Sequence, residues 1–545
     1  DKIGEIGTVF GGGNLGKLIG NTEINIGTVQ SVQLPKLEKE DEYDEYHRVK
    51  DGQGNDVMED HTVLGAYITG NVYGGGNEAD VTGNTLINIS AKYDEQDTKY
   101  IPVAEGTSNV IIVGNVFGGG KGIADSFKCQ KAMVGIEDEN DGINDGTGKG
   151  TKIYMGNGTV QGSVYGGGEV GRVEWNTEVT IGFEPAQGQV TSAPTVQGNL
   201  FGAGKGVNTH GYSALVRGNA TVTIQGDAKI GHSVYGGGEI ASVGRYNVAN
   251  AAYHTAHPEV EVGMPYSLAN SGSGYCTVIV RGNAEIGPDG MQMTRNGGPD
   301  DTGHVFGAGK GILPYEGYTS SETPWRMIPS NEKEYYGTGT EDAYLLFIES
   351  LALATQTDVT IGGNAFVKGS VYGGSENGHV QHDTHVTIQD NCQIGQGEGK
   401  NSRYTSEQWT NENPADFAEC AHWDYDETSG AAYDKYAIYE YNGKYYYDEQ
   451  HTEYANGGSY IAKDGHTYYG NVFGGGSGSV PYFDSTLSQS VYLHSAGQVK
   501  GNTYVTISGG HILTNVYGGC EATNVSGTAN VTMTDGTIGV ERNTS

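Results

Sequence analysis

Cysteine, proline and basic residues are scarce in this chain. Its 545 residues include 5 cysteines and 13 prolines, and lysine and arginine together number 31 against 66 aspartates and glutamates. The cysteines lie far apart and never form a Cys-x-x-Cys pair, so the sequence indicates neither a small disulfide-linked scaffold nor a zinc ribbon. They are Cys129, Cys276, Cys392, Cys420 and Cys520.

Negative charge and the lack of a long apolar run limit the partners. A net charge of -35 repels nucleic acid and anionic membranes, and it suits a soluble extracellular surface that binds cations. The most apolar run, residues 344–348, ends at Glu349 and is far shorter than the roughly 20 residues of a membrane-spanning helix. No signal peptide is recognisable. We therefore expect no nucleic-acid partner and no direct membrane insertion.

Glycine is abundant, and it recurs in a motif. It accounts for 91 of the 545 residues, more than twice its usual share of roughly 7%. A Phe or Tyr followed by small residues, mostly glycine, occurs ten times, and Phe and Tyr alternate without exception. Such self-similarity predicts a repeat architecture in which the aromatic rings stack as a ladder. The ten ring positions are Phe10, Tyr73, Phe117, Tyr165, Phe201, Tyr235, Phe306, Tyr372, Phe473 and Tyr517.

Short segments with alternating apolar and polar residues follow each motif. Val222, Thr223 and Ile224 form such a segment within the cleanest unit, which runs from Phe201 to Tyr235 and contains three short strands. Glycine turns the corners between strands, since it tolerates positive φ at low cost. The sequence predicts an all-β fold, a right-handed parallel β-helix (β-solenoid) of about ten three-stranded coils, because stacked coils bury apolar faces that a single coil cannot.

Charged residues next to the glycines favour one motif per coil over two. Glutamate follows every Tyr motif, and lysine follows three of the Phe motifs. With one motif per coil, we expect neighbouring coils to pair opposite charges, whereas two motifs per coil would stack like charges. The glutamates are Glu78, Glu169, Glu239, Glu376 and Glu521, and the lysines are Lys121, Lys205 and Lys310.

Several long segments interrupt the pattern. We expect one solenoid over residues 1–545, part of a longer repeat protein or one whose ends stack on partners, because no capping element is recognisable at either end. Insertions of this kind leave a solenoid at its corners. They span residues 34–62, 91–110, 126–150, 245–274, 312–355, 396–468 and 478–496.

Local signals predict the structure of some insertions. The first, rich in acidic residues, is expected to be a solvated loop. A helix is expected from about Asp342 to Leu353, and another after Asn413-Pro414. Asn442-Gly443 and Asp464-Gly465, each between aromatic residues, predict two hairpins.

Tyrosines around the first of these hairpins are the candidate ligand-binding residues. Flat, amphipathic rings on exposed hairpins suit stacking on sugars or contact with protein, although they also suit a small hydrophobic core. The candidates are Tyr436, Tyr439, Tyr441, Tyr445, Tyr446 and Tyr447. Outward threonines along the alternating strands are explained by ordinary β propensity.

Metal binding rests on weaker patterns. Glu137, Glu139, Asp141 and Asp145 place oxygen ligands in a glycine-rich loop, so calcium is the one cofactor that the sequence leaves open, although the loop lacks the final glutamate of an EF-hand. His379, His382 and His385 have spacings that fall on opposite faces of a strand, which argues against a shared metal. The glycine triplets lack the spacing of a phosphate-binding loop.

The motif Gly-Asn-Val-Phe-Gly-Gly-Gly at residues 470–476, followed by Gly-Asn-Thr at residues 501–503, resembles glycine-rich surface repeat proteins of Bacteroidota. That resemblance implies a secreted, adhesin-like protein at the bacterial cell surface. The predicted architecture is also similar to the pectin-lyase-like superfamily, which includes polysaccharide lyases and hydrolases. The clustered catalytic aspartates of that superfamily are not found in the sequence, so catalysis is not carried over.

These patterns lead to one functional hypothesis and two alternatives. The first is a non-enzymatic extracellular stalk that binds glycans or cell-surface and secretion proteins through its tyrosine-rich insertions. The second is a polysaccharide-active enzyme with paired carboxylates in a cleft between insertions. The third is a filament subunit that associates end to end.

Overall fold

The protein is described by a computed structural model. The structure describes residues 5–29, 31–39, 46–62, 65–103, 109–136, 149–184, 191–258, 260–270, 272–288, 302–314, 340–395, 439–441, 444–446, 470–478, 482–484, 489–491 and 495–539. Strands dominate it, and the large sheets are parallel, which confirms the all-β expectation. Each repeat contributes one strand to each of three parallel ladders, and ladder neighbours come from consecutive repeats.

The first ladder, here called the aromatic ladder, is a parallel sheet of ten two-residue strands. Its register sets every Phe directly opposite the Tyr of the next repeat. One motif therefore occupies each layer. Its strands are Val9–Phe10, Val72–Tyr73, Val116–Phe117, Val164–Tyr165, Leu200–Phe201, Val234–Tyr235, Val305–Phe306, Val371–Tyr372, Val472–Phe473 and Val516–Tyr517.

The second ladder, the long-strand ladder, follows the glycine motif in each repeat. Its residues pair in register, so each position of the alternating pattern forms a column that runs through the repeats. Its strands are Thr22–Ile26, Thr85–Ile89, Thr151–Met155, Thr177–Ile181, Ala220–Ile224, Tyr275–Val280, Gln356–Ile361, Thr384–Ile388, Thr503–Ile512 and Ala529–Ile538.

The third ladder joins the long strands to the next aromatic strand. In the last two repeats the corner between the second and third ladders is replaced by a bulge, so Thr503–Ile512 and Ala529–Ile538 each serve both ladders. Its other strands are Glu5–Ile6, Gly65–Ile68, Asn109–Ile112, Thr159–Val160, Thr195–Val196, Lys229–Ile230, Glu285–Ile286, Phe366–Val367 and Gln393–Ile394.

The main core lies between the inward faces of the three ladders. In Ala220–Ile224, for example, Val222 and Ile224 are fully buried and the alternate positions are half-buried. Aliphatic residues from all three ladders form one continuous buried cluster along the repeats. Stacking therefore supplies the burial that one repeat lacks.

The first glycine of each motif is required for close packing between repeats rather than for positive φ. A Cβ built on Gly118 would lie 2.2 Å from the carbonyl oxygen of Gly166 in the next repeat, and one on Gly166 would lie 2.1 Å from that of Gly202. None of these three has positive φ. The middle position is less demanding, because alanine occupies it in two repeats, at Ala203 and Ala308.

A buried threonine joins each of several long strands to the glycine motif. Thr85 Oγ1 donates to the carbonyl of Gly118 at 2.6 Å, and Thr177 Oγ1 donates to that of Gly202 at 2.6 Å. The recurring Gly-Asn-Thr in the sequence is explained in part by this hydrogen bond, since the hydroxyl satisfies a carbonyl oxygen inside the fold.

A column of aliphatic side chains lies between the aromatic and long-strand ladders, and sequence analysis missed it. Backbone bridges link its members from repeat to repeat, and most of them are fully buried. Its positions are Leu18, Val81, Val134, Val173, Val216, Val243, Ala354, Val380, Val499 and Val525.

In the parts of the insertions that the structure describes, the chain forms small antiparallel pairs and two helices. Helix α1 spans Ala251–Ala256 and helix α2 spans Glu341–Glu349. The short strand Leu353–Ala354 pairs in parallel with His379–Val380. The antiparallel pairs are Ser31–Pro35 with Met58–Thr62, Leu37–Lys39 with Tyr46–Arg48, Ala91–Asp94 with Lys99–Pro102, Tyr246–Val248 with Pro265–Leu268, Tyr439–Tyr441 with Lys444–Tyr446, and Tyr482–Asp484 with Gln489–Val491.

Two expectations about the insertions are corrected. The acidic insertion is not a plain loop but two nested antiparallel strand pairs. Asp56, in the segment between Tyr46–Arg48 and Met58–Thr62, pairs with Arg48 at 3.1 Å and with Lys50 at 2.5 Å. Helix α2 ends at Glu349 rather than near Leu353, because Ala352 adopts φ +49° and the chain continues as a strand. The helix predicted after Asn413-Pro414 and the hairpin predicted at Asp464-Gly465 lie outside the described residues.

Candidate functional site

The ten motif aromatics form one continuous stack. Centroids of successive rings are 4.6–5.0 Å apart, and the planes of successive rings are nearly parallel, at 3–12° to each other. All but the two terminal rings, Phe10 and Tyr517, are buried. The stack is therefore a structural element rather than a ligand surface.

Each interior tyrosine of the stack donates a hydrogen bond to a glutamate two repeats further along. Tyr165 Oη donates to Glu239 Oε2 at 2.7 Å, and Tyr372 Oη donates to Glu521 Oε2 at 2.8 Å. The same bonds link Tyr73 to Glu169 and Tyr235 to Glu376. Glutamate recurs with tyrosine because the hydroxyl inside the fold needs an acceptor.

The pairing expected from charge is therefore wrong. Among ion pairs between described residues, none joins Lys121, Lys205 or Lys310 to a motif glutamate, and Glu78 pairs instead with Lys131 at 3.1 Å. Phe and Tyr motifs alternate, so a glutamate recurs every two repeats and can accept a hydrogen bond from the tyrosine two repeats before it. The prediction considered contacts between adjacent repeats only. Burial, reinforced by the neighbouring glutamate, raises the pKa of Tyr73 and Tyr165 far above the usual range.

The predicted ligand-binding tyrosines are only partly described. Tyr439–Tyr441 pairs antiparallel with Lys444–Tyr446, with Tyr439 opposite Tyr446. This is the hairpin that the Asn-Gly signal predicted. Tyr436 and Tyr447 lie outside the described residues, as do all four candidate calcium ligands, Glu137, Glu139, Asp141 and Asp145.

A second tyrosine-bearing hairpin is described in full, and sequence analysis did not single it out. The pair Ala91–Asp94 and Lys99–Pro102 follows the long strand Thr85–Ile89 and contacts Tyr154 of the next long strand, Thr151–Met155. Tyr100 stacks on Tyr154 with ring centroids 3.9 Å apart, and Tyr93 packs edge-on against Tyr100 at 5.2 Å. Tyr93 remains 51% exposed. We call these three residues the tyrosine patch.

Charged side chains surround the tyrosine patch. Tyr154 Oη donates to Glu178 Oε1 at 2.8 Å, and Lys152 Nζ lies 3.1 Å from the other oxygen of that carboxylate. Burial raises the pKa of Tyr100, and the charge of Glu23 adds to that effect. An exposed ring beside hydrogen-bonding groups is an arrangement suited to a sugar ring, which offers an apolar face and hydroxyl edges.

The three histidines do not converge on one point. His379 is buried, and burial together with the charge of Lys500 lowers its pKa to about 3. His385 points outward, lies 3.3 Å from Asp358 and stacks on Tyr504. Within the described ranges, no group of three or more His, Cys, Asp and Glu side chains is arranged to hold a metal ion.

The buried carboxylate of Glu174 is paired within the fold. Glu174, which is 1% exposed, accepts from Arg172 at 2.5 Å and from Arg217 at 2.7 Å. Arg172 also donates to the carbonyl of Lys128 at 3.0 Å. The network joins the insertion that contains Lys128 to the chain next to Val173 of the aliphatic column. We therefore interpret these charges as structural.

Comparisons with known proteins find no relative. No protein-family model, no curated protein and no solved structure matches the chain. Within the part of the chain that the structure describes, no helix has the length and apolar character needed to cross a membrane.

Proposed function

We propose that this protein is a non-enzymatic extracellular repeat protein, an adhesive stalk that binds glycans through tyrosine-bearing insertions. The three ladders would be the faces of a right-handed parallel β-helix, the hand that strand twist and crossover connections favour. In-register parallel strands and ring spacings of 4.6–5.0 Å support stacking of one repeat per layer.

The observation that carries the proposal is the tyrosine patch. Tyr93 is half exposed to solvent, while its neighbour Tyr100 is stacked on Tyr154. A hairpin that served only to connect two strands would not require an exposed aromatic ring at this position. Because Tyr100 and Tyr154 hold Tyr93 in place, the exposed part of Tyr93 has little conformational freedom to lose when a ligand binds. The Tyr439–Tyr441 hairpin repeats the same combination of strand pairing and tyrosine in another insertion.

Retention on insoluble polysaccharides tests the proposal. The full chain is mixed with mucin and with a panel of plant polysaccharides, and bound and free protein are measured. Tyr93→Ala should reduce retention about tenfold, the loss expected of a contact worth about 1.4 kcal/mol. Tyr46→Ala is the matched control, since Tyr46 is also an exposed hairpin tyrosine, at 65%, and lies outside the patch.

Three results would count against the proposal. Equal retention of wild type and Tyr93→Ala would remove the patch as the binding surface. No retention on any polymer would argue against glycan adhesion. New chain ends in the supernatant would mark the protein as a polysaccharide-active enzyme and direct attention to paired carboxylates.

A further inference from the structure

A polar groove of about 550 Å³ lies where the long strands of three consecutive repeats end. It spans the ends of Tyr275–Val280, Gln356–Ile361 and Thr384–Ile388 and the corners that follow them. Its volume falls within the range of roughly 300–1,000 Å³ that is usual for small-molecule sites. The groove is separate from the tyrosine patch, which lies on earlier repeats.

The floor of the groove is formed by backbone with positive φ angles, where glycine leaves no side chain to fill the groove. Gly282 and Gly363 adopt φ +66° and +59° at equivalent corners, and Asp390 adopts φ +60° at the next one. A Cβ on Gly363 would lie 2.6 Å from the amide nitrogen of Gly282. Asp390 Oδ2 accepts from the Gly363 amide at 2.8 Å, which holds this carboxylate at the edge of the groove.

A column of amide side chains runs along the same corners. Asn283 Nδ2 donates to Asp227 Oδ1 at 2.8 Å, Asn364 Nδ2 donates to Asn283 Oδ1 at 3.1 Å, and Asn391 Nδ2 donates to Asn364 Oδ1 at 3.3 Å. The column fixes the orientation of each amide. Asn364 and Asn391 line the groove and are exposed.

Arg281 supplies the cationic group of the groove. Its Nε and one terminal nitrogen donate to Gln225 Oε1 at 2.9 and 2.6 Å, so the guanidinium is held in place although its side chain is 51% exposed. Glu184 lies 3.9 Å away. The side chains of Ile279 and Thr360 provide a small apolar area between these groups.

We propose that this groove binds a neutral oligosaccharide. Oriented amides, one guanidinium and two carboxylates both donate to and accept from sugar hydroxyls, and the Thr360 and Ile279 methyl groups suit the C–H face of a sugar ring. Glu184 and Asp390 outnumber Arg281, so uronate and sulfated chains are disfavoured. The site goes beyond the proposed adhesion through tyrosines and does not depend on it.

Substitution at Thr360 tests the site without disturbing the core. Tyrosine already occupies the equivalent outward column position in another repeat, at Tyr154, so Thr360→Tyr should fold while its ring fills the groove. Thr506→Tyr is the matched control. Thr506 lies in the same column, two repeats further along, is exposed and does not line the groove. Thermal unfolding of both variants checks the fold.

Calorimetric titration of the full chain with cello-, manno- and maltotetraose, and with trigalacturonate as the acidic probe, measures the binding. We expect one of the neutral probes to bind, Thr360→Tyr to weaken it about tenfold or more, and Thr506→Tyr to leave it within about twofold. Tyr93→Ala should not change this affinity, which separates the groove from the tyrosine patch.

The proposal is overturned if none of the neutral probes binds, or if trigalacturonate binds more tightly than all of them. It is also overturned if the two tyrosine variants weaken binding equally or not at all. Polysaccharide retention that depends on Tyr93 while the groove fails these tests would leave the proposed adhesive function intact.

Discussion

The hydrogen bond from Tyr165 to Glu239 gives the most direct test of the two-repeat pairing. Tyr165→Phe removes a hydroxyl that donates to the carboxylate at 2.7 Å, but keeps the ring and its stacking on Phe117 and Phe201. A hydrogen bond to a charged acceptor contributes about 1.5–3 kcal/mol. Glu239 is only half-buried, so we expect the lower end of this range, about 1.5 kcal/mol.

Hydrogen exchange is the appropriate assay, because a long repeat array need not unfold in one step and local opening is then the relevant equilibrium. The amide of Gly166 donates to the carbonyl of Phe201 at 2.9 Å and reports on this layer. A loss of about 1.5 kcal/mol should raise its exchange rate about tenfold. Tyr93→Phe, which removes an exposed hydroxyl elsewhere, is the control and should leave this amide unchanged.

The reverse substitution makes the test stricter. Phe201→Tyr places a hydroxyl in a layer where Lys310, not glutamate, occupies the acceptor position two repeats along. A buried donor without a partner costs about 1–3 kcal/mol, and Phe201→Tyr combined with Lys310→Gln should recover most of that loss. If Tyr165→Phe exchanged like the control, or Phe201→Tyr were as stable as wild type, hydroxyl pairing would not explain the alternation.

Three further predictions concern packing, pH and thiol reactivity. Gly118→Ala, whose Cβ would lie 2.2 Å from a carbonyl oxygen, should lower the free energy of local opening, measured by hydrogen exchange in its own layer, by about 3 kcal/mol, whereas Gly518→Ala, whose Cβ would have its nearest neighbour at 3.1 Å, should lower it by about 1 kcal/mol or less. His379 has a folded pKa of about 3 against 6.5 when unfolded, so the unfolded chain takes up the proton first and stability should fall as the pH drops from 6.5 towards 3. His379→Leu should flatten that part of the stability profile, and an unchanged slope would contradict the assignment. Burial raises the pKa of the Cys276 thiol to about 12, whereas Cys520 is part-exposed and its thiol pKa is raised to about 11, so maleimide at pH 8 should label Cys520 before Cys276 in the folded protein, as peptide mass spectrometry would show.

The sequence predicted those features that depend on local periodicity. Alternation within 222–224 assigns Val222 and Ile224 to the core, and the aromatic alternation predicts that Phe201 stacks between two tyrosines. Both follow from chain geometry and from the identity of consecutive repeats. The Asn442-Gly443 hairpin was also predictable, because a tight turn is encoded by its own residues.

Features that join residues two or more repeats apart were not predictable in the same way. The Glu239 acceptor for Tyr165 lies 74 positions away, and only the three-dimensional stack brings the two together. The amide column at Asn283 and Asn364 depends equally on register, because these two residues are 81 positions apart and the insertion at residues 312–355 lies between them. The sequence did contain a usable signal, the coupling of tyrosine with a following glutamate, but adjacent charge pairing was a simpler explanation for it.

The candidate sites show the same limit. The groove takes Arg281, Thr360 and Asp390 from three repeats, and none of these residues stands out in its own segment. Tyr93 and Tyr100 belong to an insertion whose boundaries were predicted, yet their contact with Tyr154 depends on how the hairpin folds against the sheet. Sequence patterns locate where insertions leave the ladders, and tertiary packing decides which side chains they expose.

The two periods of the fold restrict how such a chain can vary. Strand pairing joins each repeat to the next one, so the backbone ladders have a period of one repeat. The hydrogen bond from tyrosine to glutamate joins repeats that are two apart, so it has a period of two. Removing the single repeat between Phe201 and Tyr235 would stack Tyr165 directly on Tyr235 and leave Glu239 one layer from its donor instead of two. Removing two repeats would preserve both periods. Insertions at corners disturb neither period, since Tyr235 still pairs with Glu376 across two long insertions. Corners are therefore positions where such a chain can acquire binding surfaces without disturbing its stack, and both the tyrosine patch and the polar groove combine residues of a corner with outward residues of the long strands.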